Sequence, residues 1–115
     1  LNGWVSRNEI DDLAKAKFEE LGLTPSQLCD DATFLRRAFL DSIGALPSPE
    51  DTRAFLDSED PNKRDEWIDR LLGLTGDASK DKYNDQFAAY WTLKWSDLIR
   101  NNSTVVGESG MWAFH

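Results

Sequence analysis

The chain predicts an all-α fold, an irregular or orthogonal bundle of about five helices. Three observations carry that expectation. Apolar residues recur at helical spacing in successive segments, with no competing alternation of period two. Cap, proline and acid signals open the segments, and glycines close them. Five tryptophans in 115 residues supply an aromatic-rich core with a large buried area per residue.

Ser6 and Glu9 have the spacing of a capping box and open the first segment. Ile10, Leu13, Ala14, Phe18 and Leu21 then form its apolar stripe, and Gly22 stops it. Thr24-Pro25-Ser26 reads as a turn. Asp30 or Asp31 caps a second helix whose stripe is Phe34, Leu35, Ala38, Phe39 and Ile43. Gly44 ends it, because glycine takes a positive φ without a Cβ penalty. Ser48 is the next N-cap and Pro49 suits the first helical position. Glu50 and Asp51 favour the positive helix start. This third helix runs to about Asp57 and buries Ala54 and Phe55, with Leu56 beside them.

Asp60-Pro61 repeats the cap-and-proline signal. Trp67, Ile68, Leu71 and Leu72 form the stripe of a fourth helix that Gly73 closes. The polar stretch from Thr75 to Asp85 reads as a loop. In the fifth helix Phe87, Tyr90, Trp91, Lys94, Trp95 and Leu98 fall on one face, and Lys94 lies along it through its methylene stem. Asn101-Asn102-Ser103-Thr104 ends the regular pattern, and Thr104-Val105-Val106 reads as a short extended piece.

A net charge of −8 argues against a nucleic-acid binder, which needs clustered Lys and Arg. The same balance disfavours an anionic membrane surface, and no apolar run is long enough for membrane insertion. Cys29 is the only cysteine, which excludes an internal disulfide and a multi-cysteine zinc site. It reads as a small buried hydrophobe. His115 is the only histidine and builds no catalytic dyad at a defensible spacing. No phosphate-cradling glycine loop is present, and no cofactor is implied. The whole of residues 1–115 reads as one helical domain. Because the chain begins at Leu1, we expect a piece of a longer multidomain protein.

Arg36, Arg37, Asp41, Asp97 and Arg100 are the candidate site residues. Arg37 and Asp41 stand at i, i+4, and Asp97 and Arg100 at i, i+3, so each pair can meet on one face. The expectation is a polar network tying the second helix to the fifth. The alternative is a hydrolase that uses Asp41 and Asp97 as an acid–base pair. Trp4, Trp91, Trp95 and Trp112 are the candidate ligand contacts, through which a carbohydrate-binding module would stack on polysaccharide. Trp91 and Trp95 are expected in the core. Asp77, Ser79, Asp81 and Asp85 alternate like calcium ligands, but Lys82 and Ala88 stand where such a loop needs Gly and Glu. A solvated acidic loop is expected there.

Three segments together resemble a known family. They are Ile10-Asp11-Asp12-Leu13-Ala14-Lys15-Ala16-Lys17 with Leu21-Gly22-Leu23-Thr24-Pro25, then Leu35-Arg36-Arg37 with Asp41, Gly44, Leu46-Pro47, Pro49-Glu50 and Trp67-Ile68-Asp69-Arg70-Leu71-Leu72, and finally Trp91, Trp95, Asp97 and Arg100. The pattern is similar to the helical domain of unknown function found in large secreted planctomycete proteins, often after a cytochrome c module. After Arg100 the family continues with a Tyr-Ala-Asp-like run, where this chain has Asn101-Asn102. The resemblance implies an all-α fold, an extracytoplasmic location (periplasmic or cell surface), and neighbouring domains of the parent chain, a cytochrome c module among them, as partners. It carries over no catalytic residue. The expected function is a non-catalytic interaction or scaffold module.

Overall fold

The structure, a computed structural model, describes residues 4–114; His115 lies outside them. It is all-α, with the order α1 (Glu9–Glu20), α2 (Asp31–Ile43), α3 (Pro49–Leu56), α4 (Lys63–Leu72), α5 (Asn84–Leu98) and α6 (Ser103–Phe114). No strand forms among the described residues. Helices α2 to α5 make the bundle: α2 packs against α3, α4 and α5, and α4 packs against α5.

The core is small and aromatic. Leu35, Phe39, Ile43, Phe55, Trp67, Leu71 and Tyr83 are buried, with Phe34, Ala38 and Phe87 packed against them. Phe39 meets the edge of Tyr83 at 5.3 Å between ring centres, and Phe55 meets Trp67 edge-on at 5.9 Å. These tilted arrangements suit the quadrupoles of aromatic rings. Gly44 closes α2 at φ 67°, and a Cβ there would meet the Tyr90 ring at 2.5 Å. The turn and the packing of α5 therefore both require glycine.

Several local expectations need correcting. The α1 cap is Asn8, whose Oδ1 accepts the Asp11 N–H at 3.0 Å; Ser6 donates to the Asn8 carbonyl instead. No residue of α1 is buried, so its stripe does not enter the core. Asp30, not Asp31, caps α2. Phe55 is sealed but Ala54 and Leu56 are exposed. Asp60 accepts the Asn62 N–H in the turn before α4. The stretch after Asn102 is helical rather than extended: Asn102 Oδ1 accepts the Val105 N–H at 3.0 Å, and α6 then runs on with a kink at Gly107.

The molecule is spread out. Its radius of gyration is 18.3 Å, where a compact domain of this length has about 13 Å. Its accessible surface is 8649 Å², against about 6,400 Å² for a compact chain of this mass.

Candidate functional site

The most enclosed polar cluster joins the start of α3 to the start of α5. Ser48 accepts the Asp51 N–H at 3.1 Å and donates its own hydroxyl to Asp51 Oδ2 at 2.8 Å. This is a serine N-cap whose hydroxyl is held in turn by the aspartate in the third helical position. The loop before α5 delivers two more donors. Asp81 folds that loop by accepting from the Thr75 hydroxyl at 2.6 Å and from the Thr75 and Gly76 N–H groups. Lys82 Nζ then reaches Asp51 Oδ1 at 2.8 Å, and the Tyr83 hydroxyl donates to Asp51 Oδ2.

Burial opposes the Asp51 charge, but donors from Lys82, Tyr83 and Ser48 outweigh it and hold the carboxyl below its ordinary value. Burial, reinforced by the hydrogen bond to Asp51, pushes the Tyr83 phenol up to about 12. A proton-transfer group works best with a pKa near the operating pH. Here the acid is held ionised and the phenol protonated, so the cluster acts as a latch between elements.

A second cluster joins the starts of α2 and α4. Asp31 accepts Lys63 Nζ at 2.7 Å and Arg64 Nη2 at 2.6 Å, and Arg64 also donates to the Cys29 carbonyl at 2.9 Å. Hydrogen bonds from Lys63 and Arg64 hold Asp31 below the usual carboxylate range. The two cations also lie over rings, Lys63 over Phe55 at 4.9 Å and Arg64 over Phe34 at 4.7 Å. Glu66 accepts Arg70 at 2.8 Å and Lys80 at 3.0 Å.

The polar residues singled out from sequence stand elsewhere. Arg36, Arg37, Asp41, Asp97 and Arg100 are all exposed, and no ion pair joins any two of them among the described residues. Arg37 and Asp41 line a shallow hollow of about 360 Å³ with Cys29, Phe34 and Ile68. Asp97, near the end of α5, does not line it. A wider groove of about 860 Å³ runs between the chain before α1, the 24–29 loop and α4, walled by Trp4, Leu28, Phe34 and Ile68. Asp77 accepts from the N–H and hydroxyl of Ser79, so the loop's acids are engaged with their own backbone and side chains.

The tryptophans divide. Trp91 is half-buried and its Nε1 donates to the Ser42 carbonyl at 3.0 Å. Lys94 does more than lie along the stripe: Nζ sits over Tyr90 at 4.4 Å and over Trp91 at 4.9 Å. Trp4 is half-buried beside Phe18 at 5.9 Å. Trp95 is 52% exposed and Trp112 is 64% exposed. The expectation that Trp95 enters the core is therefore corrected. Tyr83 and Asp51 escaped sequence reasoning, although Tyr83 lies four residues before Phe87 and extends the α5 stripe back by one turn.

The fold defines a purely helical domain whose polar clusters join helix starts to each other. The chain matches PSCyt2, described as a protein of unknown function (DUF1549), over residues 9–113, and it belongs to that family. No curated protein and no solved structure matches it. No helix among the described residues is long and apolar enough to cross a membrane.

Proposed function

We propose that this chain is a non-catalytic interaction module of a larger extracytoplasmic protein, packing against neighbouring domains of the parent, a cytochrome c module among them. One observation carries the reading: about 2,200 Å² more surface is exposed than a compact domain of this mass leaves open. Part of the open surface is apolar: on α1, Ile10 and Leu13 are exposed on one face, and on α5 Trp95 and Leu98 are exposed on one face. Such faces mark interaction surfaces rather than ordinary solvent-facing helix. The polar clusters support the reading from the other side, since their charged groups are saturated by each other. Location and the cytochrome neighbour rest on the family resemblance.

Hydrogen exchange on the intact parent tests it. Amides of α1 and of the end of α5 should exchange at least tenfold slower there than in the chain alone. Equal rates would remove the proposal.

Exposure of Trp95 and Trp112 favours a second reading, stacking on polysaccharide. Titration with soluble glycans then quenches tryptophan fluorescence, and Trp95→Ala weakens the quench. No quench across a broad set of glycans removes this reading.

A further inference from the structure

The segment from Trp4 to Glu20 is built as one body. Trp4 packs on Phe18 at 5.9 Å between ring centres. Asn8 caps α1, and the Arg7 N–H donates to Asp11 Oδ2 at 2.9 Å. Far less joins this arm to the bundle. Arg7 Nη1 donates to Asp65 Oδ1 on α4 at 2.8 Å. Among the described residues, no other hydrogen bond, ion pair or ring contact links residues 4–23 to α2–α6. The connection to α2 is slack as well. Residues 23–30 form no helix or strand, Leu28 is 91% exposed, and a Cβ on Gly22 would meet nothing within 4 Å.

The groove of about 860 Å³ exists only because the arm stands where it does. Trp4 and Asp11 belong to one wall, and Phe34, Asp65 and Ile68 to the other. On α1 the half-buried residues Asp11, Ala14 and Phe18 share one side, while Ile10 and Leu13 lie on another face and stay open. Little holds the arm in place. The side chains of Arg7 and Asp65 are 71% and 56% exposed, so water and salt screen their attraction. Trp4 Nε1 is enclosed with no acceptor among the described residues. A donor left in that state is unfavourable, so Trp4 is not a secure anchor, and the ion pair decides where the arm sits.

We propose that the Arg7–Asp65 pair is a salt-sensitive latch on a hinged arm. Paired, it sets residues 4–20 against α4 and creates the groove. Broken, it lets the arm swing on residues 21–30, so that the groove is lost and Phe34 and Ile68 are laid open. The latch goes beyond the module reading and does not rest on it, because neither the Ile10 and Leu13 face nor the end of α5 takes part.

Spin labels on Glu9→Cys and Asp69→Cys, both exposed and outside the groove, measure the distance from arm to bundle in a Cys29→Ser chain. At low ionic strength a short, narrow distance population is expected. Molar sodium chloride should raise the population of longer distances by about two- to fivefold, the range of a surface ion pair. Arg7→Asp should raise it at low salt and remove the salt response. Adding Asp65→Arg exchanges the two charges and should restore both the short distance and the salt response, with an unchanged helical circular dichroism signal. Asp65 lies in the first turn of α4, where a cation is unfavourable. If the exchanged chain loses helicity, Asp65→Asn and Arg7→Gln replace it, and each should lengthen the distance alike. Distances indifferent to salt or to Arg7→Asp would overturn the latch, and so would an exchanged pair that folds but leaves the arm released. Exchange rates of α1 in the intact parent enter none of these outcomes, so the latch and the module reading fail separately.

Discussion

Asp51 and Tyr83 set the behaviour of the molecule at its two pH extremes. Asp51 has a folded-state carboxyl held below its ordinary 3.8, so its ionic contribution is complete above that value and is lost as pH falls through the depressed one. The stability difference between the natural chain and Asp51→Asn should therefore be largest near neutrality and shrink below about pH 4, measured by urea titration at each pH. Tyr83 works with the opposite sign. Its phenol rises from 10.0 to about 12, so its contribution is full below pH 10 and is lost as pH climbs toward 12. Tyr83→Phe should cost about 1–2 kcal/mol at neutral pH and flatten the alkaline limb. An alkaline limb unchanged in that variant would show that other groups set it. At Gly44, alanine should cost about 2 kcal/mol or more, from the positive φ and the Tyr90 clash together. Thermal unfolding reads that loss.

Helix ends show where local chemistry was legible and where it was not. Ser48-Pro49 and Asp30 cap their helices as expected, and Gly44 and Gly73 end theirs, because these roles need only one residue and its backbone. The end of α5 obeys the same rule with the wrong residue. The Arg100 N–H bonds the Asp97 carbonyl at 3.2 Å and the Asn101 N–H bonds that of Ser96 at 2.8 Å, which is a Schellman closure. It places Arg100 at φ 54°, where glycine is favoured. Arg100→Gly should stabilise the chain by about 0.5–1 kcal/mol, read as a raised unfolding midpoint; a lowered midpoint would mean that the arginine side chain contributes more than its backbone costs. The same closure explains why the expected Asp97 and Arg100 partnership is absent: α5 ends within the pair, so Arg100 no longer follows the helical face that carries Asp97.

Across the whole molecule, a tight four-helix core carries two loosely attached ends, α1 and α6, neither of which buries a residue. Stability should be correspondingly uneven. Native-state hydrogen exchange on the chain alone should show α2 and α4 protected to the global limit and α1 opening at far lower cost, and uniform protection would contradict this picture. Spacing and capping act over a few residues, so the helical class, most helix boundaries and the α2 stripe were legible in the chain before any packing. Which stripes are buried emerged only once the helices packed. Periodicity marks an apolar face but does not say whether a partner covers it, so Trp95 and Leu98 looked like core and lie open, while Asp51, read only as an acid at a helix start, and Tyr83, inside a polar loop, are enclosed. The polar links likewise formed between helix starts far apart in the chain, Asp51 with Lys82 and Asp31 with Arg64, since those groups meet only once α2 has gathered the other helices around it.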